Sequence, residues 1–283
     1  MIQSFLIMAA LVAGDTTSEV KAMRDRGIAV KLDKVGEPIA VDALKAKLTD
    51  ADLDKLVALP DLRAVKLSEQ PITDRGFEKL VMGLTKLKSL GLDDTRVTDA
   101  VVERLEEPPL EELLLANTKV GDAGSEALAR LPKLKRLRLS GTKVTNAGAA
   151  RLAKSKTLED LDLSRTAVGD EGLAALCRLP KLVKLNLYTT RVTDGGLASL
   201  ESLRGLKWLN LDNTAVSDAG LPKLHELVNL EFLHLGRTKI SDAGLPQLTG
   251  LTKLQELHVT HTRVTEDGVK RLQQSLPRCK IVY

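Results

Sequence analysis

Leucine recurs along this chain in two alternating rhythms. In LKWLNLDNT, Leu206, Leu209 and Leu211 sit among polar residues, and the last two alternate with their neighbours at period two. That alternation predicts a short strand with one apolar face. About ten residues on, a β-branched residue followed by Asp or Asn marks a helix start, as at Thr193-Asp194 and Ser217-Asp218. A proline then closes the helix in units such as RLPKL, at Pro132 and Pro180. The whole unit reads L-x-x-L-x-L-x-x-T-x-V-[TSG]-[DN]-x-G-x-x-x-L.

The unit repeats in register. Thr118, Thr142, Thr166, Thr190, Thr214, Thr238 and Thr262 are spaced by 24 residues. Thr95 precedes the series by 23, and Gln70 holds the equivalent place 25 earlier. Both irregular steps fall in the helix-to-strand connection, within Leu80 to Leu87 and Leu105 to Leu110, where length is best tolerated. Nine units therefore share one frame. Glycines at 124, 148, 172, 196, 220, 244 and 268 fall in the first helical turn. Glycine costs about 1 kcal/mol there in propensity, so its recurrence predicts a close approach between neighbouring helices. The threonine column is expected to bond turn backbone. One such unit cannot bury its leucine face alone, whereas stacked units can.

This pattern resembles the leucine-rich repeat, with Thr where many members carry Asn. The resemblance covers about residues 48 to 275 and recurs nine times in phase. It implies an α/β fold: a curved, right-handed leucine-rich-repeat solenoid, with a parallel β-sheet on the concave face and helices on the convex face. On that frame the chain divides into a leader at residues 1–14, an N-terminal cap at 15–58, repeats at 59–265 and a C-terminal cap at 266–283. The N-terminal cap reads as a helix, SEVKAMRDRG, followed by two short strands in GIAVKLD and EPIAVDAL. The C-terminal one reads as a last helix and a final strand.

Composition narrows the picture. Apolar residues make up 43% of the chain and aromatics only 2%, so leucine and valine must form the core. The net charge is +4, from 42 basic and 38 acidic residues, with no block of one sign. Nothing there favours a nucleic-acid partner. Two cysteines, Cys177 and Cys279, are too few for a disulfide framework. They lie about four units apart, roughly 20 Å at strand spacing, and cannot bridge within the chain. Residues 2–13 are almost all apolar but too few to span a bilayer, which takes about 20 residues. They fit the apolar core of an export signal, although no Lys or Arg precedes them. Export to a periplasmic or extracellular location is expected if this leader is a signal peptide, and a cytoplasmic one otherwise. No transmembrane helix is expected, and nothing in the pattern sets an oligomeric state.

In x-L-x-L-x the leucines face the core, so the x positions form three columns across the concave sheet. The first runs Ala64, Ser89, Glu112, Arg136, Asp160, Lys184, Trp208, Phe232, Glu256. The second ends Arg138, Asp162, Asn186, Asn210, His234, His258, and the third ends Ser140, Ser164, Tyr188, Asp212, Gly236, Thr260. The alternating charges from Glu112 to Lys184, and Arg138 beside Asp162, read as a surface that neutralises itself. Beyond them Tyr188, Trp208 and Phe232 come from three consecutive strands, half of the six aromatics of the chain. Aromatic anchors are what binding surfaces use. Asn186, Asn210, Asp212, His234 and His258 would supply directional hydrogen bonds beside them. The competing reading is that the rings only stack on one another.

The leading expectation is a non-catalytic scaffold that binds a protein or peptide on its concave face, with no cofactor and no metal. Leucine-rich-repeat proteins are commonly recognition scaffolds, so this follows from the resemblance. The repeats are also similar to those of F-box substrate receptors, but the residues ahead of the solenoid read as leader and cap rather than an F-box. A third class, a metal-dependent enzyme using His234, His258 and Asp212, rests on two imidazoles at strand spacing. No phosphate loop or nucleophile elbow is present, because Gly195-Gly196 belongs to the repeat.

Overall fold

The computed structural model describes residues 18–103, 105 and 109–283. The leader at residues 1–14 lies outside them. Each strand is only three residues long across the repeats, because the x-L-x core of the unit is all that can extend. In Arg136–Arg138, Asp160–Asp162, Lys184–Asn186, Trp208–Asn210, Phe232–His234 and Glu256–His258 the central leucine is buried and its neighbours point outward. Numbered along the chain, these are β6 to β11. Among the described residues twelve strands form one sheet in chain order, β1 through β12, with β3 at Ala64–Lys66, β4 at Ser89–Gly91 and β5 at Glu112–Leu114. All pairings are parallel except β1 (Ala29–Leu32) with β2 (Pro38–Asp42), which run antiparallel. The leucines stack in register, Leu90 to Leu113 to Leu137 and onward to Leu257, and the two irregular connections leave that stack intact.

A helix over residues 18–25 and the β1–β2 pair cover one end of the core. The helix Glu266–Ser275 and β12 (Lys280–Val282) cover the other. The convex elements are unequal. Asp122–Arg130 is a two-turn α-helix, but Leu221–Leu224 and Leu245–Leu248 are single 3₁₀ turns. Those two units carry Pro222 and Pro246, which lack the N–H that an α-helical bond needs.

Each of the nine repeat strands, β3 to β11, ends in a turn with one left-handed residue. The residue before the threonine column has φ between 50 and 66°, in order Glu69, Asp94, Asn117, Gly141, Arg165, Thr189, Asn213, Arg237 and His261. The threonine that follows locks this turn. Its hydroxyl donates to the carbonyl three residues back, as in Thr142 to Leu139 at 2.6 Å and Thr190 to Leu187 at 2.7 Å. Each threonine thus bonds the backbone of its own turn, as the sequence pattern predicts, and does not link one unit to the next. Gln70, lacking a hydroxyl, instead accepts from the Leu48 N–H at 2.8 Å and donates to Ala43, tying the first unit to the cap.

The ladder belongs to the aspartates that open each helix. Asp170 Oδ1 accepts from the backbone N–H of Thr193 at 2.7 Å, and Oδ2 accepts from its hydroxyl at 2.6 Å. The same pair of bonds joins Asp74 to Thr98, Asp122 to Thr145, Asp194 to Ser217, Asp218 to Ser241 and Asp242 to Thr265. Where the next unit offers Gly169, the acceptor of the ladder is Asn146 Oδ1, which takes the Gly169 N–H, and one bond remains. The recurring glycine makes room for this carboxylate: a Cβ on Gly196 would lie 2.5 Å from Asp170 Oδ1.

Candidate functional site

The short strands set the three outward columns side by side. Lys184 pairs with Trp208, Trp208 with Phe232 and Phe232 with Glu256 in the first column. Asn186, Asn210, His234 and His258 are neighbours in the second. In the centre Arg136 bridges Glu112 at 2.6 Å and Asp160 at 3.3 Å. Burial acts against the Glu112 charge, but the Ser89 hydroxyl and the Arg136 guanidinium hold its carboxyl below the usual range. Arg138 turns back two units to Asp93 at 3.2 Å, while Asp162 lies 4.0 Å away on its other side. Lys184 makes no ion pair among the described residues.

The aromatic cluster differs from the expected trio. Trp208 and Phe232 stack face to face, with centroids 4.8 Å apart and planes 6° from parallel. Phe232 continues to His258 at 5.4 Å, and His258 meets His234 edge-on at 4.8 Å. Tyr188 is not part of this run. It lies in the third column, where the Arg237 guanidinium sits 5.5 Å from its ring centre. Period-two alternation puts Tyr188 and Trp208 on one face, but four positions apart in the unit, too far to stack. On its β8 side Trp208 borders a pocket of about 300 Å³ with Arg136, Arg138, Asp160, Asp162, Lys184 and Asn186.

Asp212 also departs from expectation. It was placed on the open surface, yet its side chain is only 3% exposed. The turn after β9 folds it beneath Arg237, which donates to Oδ2. His234 Nδ1 lies 3.8 Å from the same oxygen. Burial pushes the His234 imidazole below its ordinary pKa; Asp212 pulls it back, and His258 and Arg237 push the same way as burial. His258 bonds Glu256 at 3.0 Å, and that contact, with Lys280, holds the Glu256 carboxyl below the usual range. Asn186 and Asn210 spend their carbonyls on the backbone N–H groups of Tyr188 and Asp212. Sequence reasoning missed Arg237, which reads as a turn residue; the only signal was its place 25 residues after Asp212.

No three His, Cys, Asp or Glu side chains among the described residues are arranged to hold a metal ion. Cys177 and Cys279 are buried free thiols, pushed up by burial to about 12 and about 11. No helix among the described residues is long and apolar enough to cross a membrane.

The family profile described as Leucine Rich repeat matches residues 130–153 and 154–177. Those two segments are consecutive units of the frame that the whole sheet repeats. The chain is a leucine-rich-repeat protein. Among solved structures, this leucine-rich-repeat solenoid is similar to a TDR receptor, at TM-score 0.55 and 15% identity, over 86% of this chain and 42% of that one. It is similar to the PEPR1-AtPEP1 structure at TM-score 0.53 and 16% identity, over 89% of this chain and 36% of that one. An internalin C2 from Listeria monocytogenes matches at TM-score 0.50 and 26% identity, over 83% of this chain and 84% of that one. The chain thus spans well under half the length of the first two, and at their level of identity they show the fold alone. No curated protein matches the sequence.

Proposed function

We propose that this chain is a non-catalytic scaffold that binds a protein or peptide through its concave face, with the contact centred on the Trp208–Phe232 stack. One observation carries the reading. The core is built of leucine and valine, and Phe77 is the only aromatic residue buried in it among the described residues. Trp208 and Phe232 are instead held half-buried on the sheet surface, where packing of the fold does not require them. Half-exposed stacked rings flanked by amides and imidazoles are the composition of a binding hot spot. Asn186, Asn210, His234 and His258 surround the stack, and Tyr188 and Asp212 form its far margin. The naming of one similar structure as a receptor, and of another as PEPR1-AtPEP1, is in keeping with a recognition role.

Affinity capture from the native source tests it. Replacing Trp208 by Ala leaves the leucine core untouched and is expected to weaken capture of the partner by more than about 2 kcal/mol, or some thirtyfold. A change below about 0.5 kcal/mol in the affinity of an identified partner, with the circular dichroism unchanged, refutes the patch.

A further inference from the structure

The Trp208–Phe232 stack is open on one side. Phe232 covers the β10-side face of the indole, with centroids 4.8 Å apart and planes 6° from parallel. Neighbouring strands lie about 4.8 Å apart, so the rings repeat at the spacing of the sheet and the next place in the stack falls over β8. The first column carries Lys184 and then Asp160 on that side, and not a ring. The pocket of about 300 Å³ lies there, between Trp208 and the side chains of Asp160, Lys184 and Asn186. That volume is at the small end of ligand sites, which run from roughly 300 to 1,000 Å³.

The pocket also carries one unanswered charge. Arg136 is held by Glu112 and Asp160, and Arg138 by Asp93 with Asp162 on its other side. The ammonium of Lys184, exposed on β8, makes no ion pair or hydrogen bond among the described residues. Asn186 lies two positions on, and so on the same face. It spends its carbonyl on the Tyr188 N–H, and its amide NH2 has no acceptor among the described residues. These two donor groups stand on one strand with nothing in the chain to receive them. A carboxylate has two oxygens, one for each. A phosphate is disfavoured, because its second negative charge would face Asp160 and Asp162 in the same pocket.

We propose that this pocket receives an aromatic side chain of the partner stacked on the β8-side face of Trp208, with a nearby Asp or Glu of the partner bound by Lys184 and Asn186. The proposal rests on the concave-face reading and deepens it. A flat ring is favoured over an aliphatic side chain because it meets the indole face to face, as Phe232 does on the other side. No bond holds the Lys184 ammonium in place, so its aliphatic stem can lie along the entering ring while the charge meets the acid. An extended peptide presents residues i and i+2 on one face, so a ring and an acid two positions apart reach the pocket together.

Trp208 is the only tryptophan in the chain, so its fluorescence reports on this face directly. The probes are acetyl-Gly-Phe-Gly-Glu-Gly-amide and the reversed order, acetyl-Gly-Glu-Gly-Phe-Gly-amide. Each has counterparts with Leu for Phe or Gln for Glu. The better of the two orders is expected to bind about three- to fivefold tighter than either of its counterparts. Lys184→Gln should erase the preference for Glu over Gln and keep that for Phe over Leu. Trp208→Leu, followed by calorimetry, should do the reverse. Binding of neither order overturns the proposal. So does the absence of either preference in the native chain, or a preference for Glu that survives Lys184→Gln. Failure of this pocket alone is distinguishable: Trp208→Ala would still weaken capture of the native partner while Lys184→Gln would not. If the patch reading itself fails, Trp208→Ala leaves capture unchanged.

Discussion

Asp170→Ala is the most direct probe of what joins one unit to the next. The substitution removes the acceptor for the Thr193 N–H at 2.7 Å and for its hydroxyl at 2.6 Å. A hydrogen bond to a charged group contributes about 1.5–3 kcal/mol. Thr193 is half-buried, so water replaces part of the loss, and its hydroxyl keeps its own bond from the Gly195 N–H at 3.2 Å. The expected destabilisation is about 2–3 kcal/mol. It falls on a nearest-neighbour interface, so the urea transition should broaden as well as move. Asn146→Ala, which removes one bond to Gly169 at 2.7 Å, should cost about half as much. The sharpest sign test is Gly196→Ala. Helix propensity alone predicts a gain of about 1 kcal/mol. The ladder predicts a loss, because the new Cβ would meet Asp170 Oδ1 at 2.5 Å. In the Asp170→Ala background the same change should turn from harmful to neutral or stabilising. Urea unfolding followed by far-ultraviolet circular dichroism and by Trp208 fluorescence measures all four proteins. A cost below about 0.5 kcal/mol for Asp170→Ala, or a stabilised Gly196→Ala on its own, refutes the reasoning.

Two further outcomes are expected. Thr189 is β-branched yet sits at φ 54°, a region that favours Asn and Gly. Thr189→Asn should raise stability by about 0.5–1 kcal/mol, and a lower unfolding midpoint would contradict the turn strain. Burial holds the His234 imidazole below its ordinary value, against the pull of Asp212. The stability linked to its neutral form is complete above the unfolded value of about 6.5 and is lost as pH falls from there through the folded value. Nuclear magnetic resonance titration should place its midpoint lower still in Asp212→Asn and higher in His258→Ala; midpoints unmoved in both variants would remove the assigned causes.

Much of the fold was legible in the chain itself. The period of 24 residues, the period-two alternation around Leu209 and the Thr-Asp helix starts determine a stacked parallel solenoid, because each unit has only one apolar face to bury. The same alternation set the columns, so Trp208 beside Phe232 and His234 beside His258 could be read before any coordinates. What spacing cannot tell is how a side chain leaves the regular strand. Tyr188 and Asp212 sit two positions past the last strand residue, just before the left-handed Thr189 and Asn213, where the backbone changes direction. That turn sends Tyr188 to Arg237 and folds Asp212 under the sheet edge.

The turn-bonding role of the threonine column was legible from the pattern, but the ladder between units was assigned by packing. Only the stacking of units shows that the threonine hydroxyl reaches no farther than its own turn, while the aspartate meets the backbone of the next.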